Sequence, residues 1–118
     1  MIKIKKCLNS FQFAFRGIYL FFRNENNARV HLLATILVIL LGLYVHLSRF
    51  EWLWVSLSIT LVWIAEAFNT ALEKLTDLVS PEFNPKAGLI KDLSAAAVLF
   101  TAIFAFITGM VIFIPKFF

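Results

Sequence analysis

The chain has 118 residues, of which 61% are hydrophobic and 16% aromatic, and its mean hydropathy is +0.86. A soluble domain is about 45 to 50% apolar, so this composition excludes an ordinary soluble protein and predicts an integral membrane protein. The formal net charge of +4 is explained by basic residues that orient the chain in the membrane and attract anionic lipid. Nucleic-acid binding is not expected. The single cysteine, Cys7, can form no intrachain disulfide.

The first predicted element is an amphipathic helix that lies on the membrane surface. Between residues 2 and 22, apolar side chains recur at alternating steps of four and three, which places them within about 80° of arc on a helix. These side chains are Ile4, Leu8, Phe11, Phe15, Ile18 and Phe22. We therefore predict that residues 1–28 comprise a surface helix and a turn, with the turn in the polar stretch RNENNAR at 23–29.

Three apolar segments predict three transmembrane helices, at residues 30–48, 52–79 and 93–114. Each reaches or exceeds about 20 residues, the length of helix that crosses a bilayer and satisfies its own backbone there. The second is longer than the bilayer is thick by roughly two to three turns, so its end is expected to emerge into water. Proline and glycine at 80–90 predict an irregular loop. Since no linker interrupts the chain, we predict one all-α domain over residues 1–118.

The basic residues predict which ends of the helices face the cytoplasm. Nine of the eleven Lys and Arg residues precede the first span or lie between the second and third, whereas Arg49 and Lys116 fall on the other side. Cytoplasmic loops are enriched in such residues. The N-terminus and the connection at 73–92 are therefore predicted to be cytoplasmic.

One face of the second span carries an acidic series that is unusual in a membrane helix. With about 100° per residue, Asn69, Glu73 and Asp77 all fall within about 60° of Glu66. Glu66 is predicted to lie about five residues inside the cytoplasmic edge of the hydrocarbon core. Burying a carboxylate there costs a few kcal/mol, so acidic residues at such positions usually belong to a functional site. Clustered carboxylates also require cations or protonation. At a similar depth on other elements lie Glu25, Lys91 and Asp92.

Carboxylates without nitrogen or sulfur ligands nearby suit a hard ion such as Mg²⁺, held by one or two carboxylates and by substrate phosphates. Such a site favours phosphoryl transfer, in which catalysis is mostly positioning and charge neutralisation. A more deeply buried carboxylate is suited to accept a proton from a lipid hydroxyl. A polar seam between helices or an ion pathway would also account for these residues. The glycine-rich P-loop pattern is absent, so a nucleotide would be bound through metal and side chains.

Two segments taken together resemble a known family. The stretch EAFNTALEKLTD at 66–77, followed by KDLSAAAVL at 91–99, is similar to the signature of the prokaryotic diacylglycerol kinase and undecaprenol kinase family. The resemblance extends over nearly the whole chain, and the tail ITGMVIFIPK resembles the branch that phosphorylates undecaprenol. It implies a lipid kinase of the cell inner membrane that uses ATP and Mg²⁺ and assembles as a homotrimer.

The resemblance also implies a role for each matching side chain. Glu66 would be the general base that takes the proton of the lipid hydroxyl, with Asn69 orienting it. Glu25 and Glu73 would hold Mg²⁺ on the phosphates of ATP. The other positions implied at the nucleotide are Lys91, which would neutralise the phosphate chain, Asp92, Lys6, Glu82 and Asn84.

The acceptor that the resemblance implies is undecaprenol, with diacylglycerol as the alternative. Members that phosphorylate diacylglycerol carry a Ser in the third span and a Gln-Glu pair near the first, where this chain has Ala95 and Val30-His31. His31 itself is interpreted as a polar anchor at the membrane boundary. The non-enzymatic alternative is a small ion-conducting or scaffolding oligomer. It predicts acidic residues within several spans, and the first and third spans contain none.

Overall fold

A computed structural model describes the whole chain, Met1–Phe118. Four helices follow one another along it: α1 (Ile4–Asn24), α2 (Asn26–Val45), α3 (Arg49–Val79) and α4 (Pro85–Phe117). Helices α2, α3 and α4 each have the length and apolar composition of a membrane span. The all-helical class and the three predicted spans are therefore confirmed, while the position of α1 on the membrane surface remains a prediction.

A single extended residue separates α1 from α2. Glu25 has φ −108° and ψ 120° and is flanked directly by the two helices, so most of the polar stretch at 23–29 is helical and not a turn. Arg29, in the first turns of α2, donates to the backbone carbonyl oxygens of Phe22 and Arg23. Carbonyl groups at a helix end have no partner within their own helix. This arginine therefore caps α1 and fixes the bend at Glu25.

The connection between α2 and α3 comprises residues 46–48, three residues earlier than the connection at 49–51 that the predicted spans leave. Helix α2 ends at Val45 because His46 adopts the left-handed conformation, with φ 55° and ψ 66°. Ser48 and Glu51 then cap each other: Ser48 Oγ accepts from the Glu51 backbone N–H at 3.2 Å, and Glu51 Oε1 accepts from the Ser48 backbone N–H at 2.9 Å. This reciprocal cap starts α3 at Arg49, three residues before the predicted start.

Helix α4 begins at Pro85, whereas the sequence predicted an irregular loop through residue 90. Proline is favoured in the first helical turn because it has no N–H to leave unpaired, and Asn84 Oδ1 accepts from a backbone N–H of that turn at 2.9 Å. The irregular connection is confined to residues 80–84. Lys91 and Asp92 are consequently fixed on a helix, close to two turns inside its start.

Helix α3 packs mainly against α4 and more loosely against α2. A small apolar core of Leu47, Val55 and Ile112 lies toward the end of the bundle that carries the α2–α3 connection. At the same end, Lys116 Nζ lies 3.0 Å from Glu51 Oε1. Most large apolar side chains on the spans remain exposed, as expected of helices that face lipid or other membrane helices.

Candidate active site

The acidic face of α3 runs from the interior of the bundle to its surface. Glu66 is 3% exposed and Asn69 is 6% exposed, while Glu73 is half-buried and Asp77 is exposed. The helical repeat places these four side chains on successive turns of one face, as the sequence predicted. A carboxylate buried as deeply as that of Glu66 requires a partner of its own.

The partner of Glu66 is a histidine on the neighbouring helix. His31 Nε2 lies 3.5 Å from Glu66 Oε2, and the histidine side chain is 25% exposed against 4% for the glutamate. One turn further along α2, Thr35 Oγ1 donates to the His31 carbonyl oxygen at 2.7 Å. His31, which the sequence predicts to be a polar anchor at the membrane boundary, instead contacts a buried acid. The sequence does suggest such a contact, because a buried acid needs a partner at its own depth and His31 lies near that depth on α2.

Asn69 contacts the next acid in the column. Its Nδ2 donates to Glu73 Oε1 at 3.2 Å, whereas the family resemblance implied that it orients Glu66. Asn69 Oδ1 is buried without a hydrogen-bond partner, as is the Oγ of Ser94 on α4. Nearly all buried polar atoms in proteins are paired. These two atoms, by contrast, are unpaired within the chain.

The two predicted metal ligands lie on neighbouring elements. Glu25 Oε1 is 3.2 Å from Nζ of Lys74, the residue that follows Glu73 on α3. No three side chains of His, Cys, Asp or Glu come close enough together to hold a metal ion. A pair of carboxylates nevertheless suits Mg²⁺, which usually keeps water and substrate phosphates among its six ligands. The residues present therefore fit a magnesium ion that arrives with a nucleotide.

A second ion pair joins α4 to α3 at the rim of the site. Lys91 Nζ lies 2.5 Å from Asp77 Oδ1, and both side chains are largely accessible. An exposed pair of this kind contributes only about 0 to 1 kcal/mol. A phosphate group could therefore replace Asp77 as the partner of Lys91 at little cost.

The remaining predicted nucleotide residues are not drawn into the acidic column. Lys6, Glu82 and Asp92 are exposed and take part in none of the four ion pairs of the chain. The side chain of Asn84 caps α4, so within the chain it stabilises the start of this helix.

An apolar groove of about 310 Å³ lies between α2, α3 and α4, and ten of its fifteen lining residues are hydrophobic. His31, Thr35 and Trp63 line it, and Trp63 Nε1 donates to Thr35 Oγ1 at 3.0 Å. Further along the helices the lining is mostly apolar and includes Leu41 and Phe113, with hydroxyl groups only from Ser58 and Thr108. The groove therefore has a polar end at His31, the residue that contacts Glu66.

Three helices of membrane-spanning length, with a buried carboxylate whose histidine partner lines an apolar groove, define the protein as an integral membrane protein with a buried acidic site. Comparison with known proteins assigns its class. The sequence pattern of the prokaryotic diacylglycerol kinases matches residues 12–113, which is most of the chain. The chain belongs to the prokaryotic diacylglycerol kinase family, and it is a lipid kinase with ATP as the phosphoryl donor.

The names of individual relatives specify different lipid acceptors. An undecaprenol kinase of Bacillus subtilis (strain 168) is 36% identical over 97% of this chain and 93% of its own length. A diacylglycerol kinase of Synechocystis sp. is 36% identical over 92% of this chain and 62% of its own. A diacylglycerol kinase of Escherichia coli (strain K12) is 27% identical over 85% and 82%. The predicted family is thus confirmed, and the roles of single residues remain predictions.

Proposed function

We propose that this lipid kinase transfers the γ-phosphate of Mg-ATP to the hydroxyl group of undecaprenol. The observation that carries the proposal is the burial of Glu66 beside His31, at the polar end of the apolar groove. The hydrocarbon chain of the acceptor would occupy the groove, with its hydroxyl at the carboxylate.

The near full-length match to a relative named undecaprenol kinase supports the same acceptor. Diacylglycerol is the second candidate, because two further relatives are named diacylglycerol kinases. Val30 and His31, which stand where the resemblance places a Gln-Glu pair in the diacylglycerol branch, favour the first.

In the proposed reaction the carboxylate of Glu66 accepts the hydroxyl proton as the acceptor oxygen attacks the γ-phosphorus. The bond between that phosphorus and the leaving oxygen of ADP breaks. Glu25 and Glu73 would hold Mg²⁺, which supplies charge neutralisation for the phosphates when it is bound. Asn69 would keep the Glu73 carboxylate in place, and Lys91 would exchange Asp77 for a phosphate oxygen.

The site would lie at the cytoplasmic boundary of the cell inner membrane. The concentration of basic residues before α2 and between α3 and α4 supports this orientation. A homotrimer would cover part of the exposed apolar surface, since only 12 of the 118 residues are buried within one chain. The exposed Lys6, Glu82 and Asp92 would then contact a nucleotide from the same copy or from a neighbouring one.

Phosphoryl transfer to two acceptors in parallel tests the proposal. The purified protein in mixed micelles is supplied with Mg²⁺, ATP labelled at the γ-phosphate, and either undecaprenol or diacylglycerol at equal mole fraction. We expect labelled undecaprenyl phosphate at the higher kcat/KM. Preferential labelling of diacylglycerol would establish the second candidate, and no labelled lipid from either acceptor would overturn the kinase assignment.

Cross-linking in the same micelles tests the proposed homotrimer. We expect the trimer to be the largest cross-linked species.

A further inference from the structure

Transfer of a phosphoryl group to an alcohol leaves one proton behind, and the base that takes it must lose it before the next turnover. Glu66 is poorly placed to release a proton directly to water, because its side chain is 4% exposed. The one titratable side chain that the structure records against its carboxylate is the imidazole of His31, which is 25% exposed. The histidine is therefore the more accessible member of this pair.

We infer that His31 carries the proton of the lipid hydroxyl from Glu66 to water, in addition to positioning the carboxylate. The inference rests on the proposed function of Glu66 as the base. The proton passes from the hydroxyl to a Glu66 oxygen, then to Nε2 of the neutral imidazole, and then to a water molecule. The Glu66 carboxylate and the neutral histidine are restored, and one proton is released for each phosphate transferred.

The neighbouring helices provide no other titratable side chain that could carry this proton from Glu66. On α4 the groove is lined by small or apolar side chains without a titratable group, including Ala102, Ala105 and Thr108. The nearby cation of α2, Arg29, is bound to carbonyl oxygens of α1. The lysine of α3 close to this level, Lys74, is paired with Glu25. His31 thus faces one ionisable group, the Glu66 carboxylate.

A histidine that accepts protons predicts a distinctive pH dependence. The imidazole must be neutral to take the proton from Glu66, so protonation of His31 should stop the relay. Turnover of the native enzyme should therefore fall at acidic pH, and part of that fall should depend on His31. A histidine that only held the carboxylate in position would be replaced by glutamine, which can also donate a hydrogen bond, with little change in the pH profile.

The test uses the intact protein and measures lipid phosphorylation from about pH 5.5 to 8.5, the region in which histidines in proteins commonly change charge. His31→Gln should lower kcat at least about tenfold, as loss of a proton-transfer group does, and should change the acidic side of the profile by removing the contribution of the imidazole. In His31→Ala, added imidazole should raise kcat in a saturable manner. The control is His46→Asn, which changes the other histidine at a left-handed position that asparagine tolerates. It should match the native profile and gain nothing from imidazole.

An unchanged kcat and pH profile in His31→Gln would overturn the relay, as would the absence of rescue by imidazole in an assembled His31→Ala. If the alanine variant fails to assemble, the profile of His31→Gln decides alone. These outcomes differ from failure of the proposed function, in which the native protein itself would phosphorylate no lipid.

Discussion

The amide nitrogen of Asn69 donates to Oε1 of Glu73 across one turn of α3, at 3.2 Å. The amide therefore orients the outer acid of the column, while the inner acid, Glu66, lies against His31 on a different helix. Two adjacent acids are thus held by different partners in different surroundings. This division supports the proposed roles, in which the half-buried Glu73 would bind the metal and nucleotide and the buried Glu66 would act on the lipid hydroxyl.

Replacing Glu73 by glutamine should weaken the use of Mg²⁺ without disturbing the fold. Glutamine keeps a carbonyl oxygen that accepts from Asn69, so only the charge is lost. Loss of even an indirect partner of a metal ligand weakens metal binding about 10- to 100-fold, so the Mg²⁺ concentration for half-maximal activity should rise at least about tenfold. A magnesium titration at saturating ATP measures this. The metal assignment fails if the titrations of Glu73→Gln and the native protein coincide.

Lys91 and Asp77 form one ion pair but should respond differently to substitution. Lys91→Met removes a charge proposed to meet the phosphates, and charged hydrogen bonds contribute about 1.5 to 3 kcal/mol, so KM for ATP should rise about tenfold or more. Asp77→Asn removes only the partner of an exposed pair and should change KM for ATP by less than about fivefold. Steady-state kinetics of both variants provide the comparison. Equal small effects would mean that the pair only joins α4 to α3.

A larger side chain in the groove should impair binding of the acceptor. Ala105 lines the groove on α4, so Ala105→Leu fills part of the space proposed for the hydrocarbon chain. We expect KM for the lipid to rise about tenfold, equivalent to about 1.4 kcal/mol, with KM for ATP unchanged. The matched control is Ala97→Leu, at an exposed alanine of the same helix that does not line the groove. If both variants keep the native KM for lipid, the acceptor lies elsewhere.

Gly42 should be intolerant of any side chain. A Cβ atom there would lie 2.7 Å from Cη2 of Trp52 and 2.9 Å from Cδ1 of Leu47, whereas a Cβ at Gly17 meets nothing within 4 Å. Overpacking of this kind costs about 1 to 3 kcal/mol. Thermal unfolding in detergent should therefore show a lower Tm for Gly42→Ala, and Gly17→Ala should be as stable as the native protein or more so. Equal stability of the two variants would contradict the close packing of α2 against Trp52.

The helices could be predicted from the sequence because their signals are local. Continuous apolar segments identified α2, α3 and α4, and the absence of glycine and proline from 52–79 correctly indicated that α3 continues unbroken to Val79. The helix starts were less accurate, because each depends on hydrogen bonds made by single side chains. The cap between Ser48 and Glu51 and the cap of Asn84 extend two helices toward their N-termini.

The acidic column could likewise be predicted, since helical periodicity fixes the residues that share one face. Contacts between helices could not, because the rotation of α2 about its axis leaves no trace in its nearly uniform apolar sequence. For that reason the contact of His31 with Glu66 and the pairing of Asp77 with Lys91 were both missed. The resemblance to a family suggested that Asn69 serves Glu66, while the structure pairs its amide with Glu73.

The most direct test of the account compares Glu66→Gln with Glu51→Gln in a single-turnover assay of γ-phosphate transfer to undecaprenol. The two substitutions are chemically identical, and Glu51 lies at the opposite end of α3, beside Lys116. A general base contributes about 10²- to 10⁴-fold to a rate, so Glu66→Gln should lose at least about a hundredfold in the rate constant of phosphate transfer while it assembles normally. Glu51→Gln should keep the native rate. A Glu66→Gln protein that transfers phosphate within about twofold of the native rate, well below that 10²-fold contribution, would contradict the central claim.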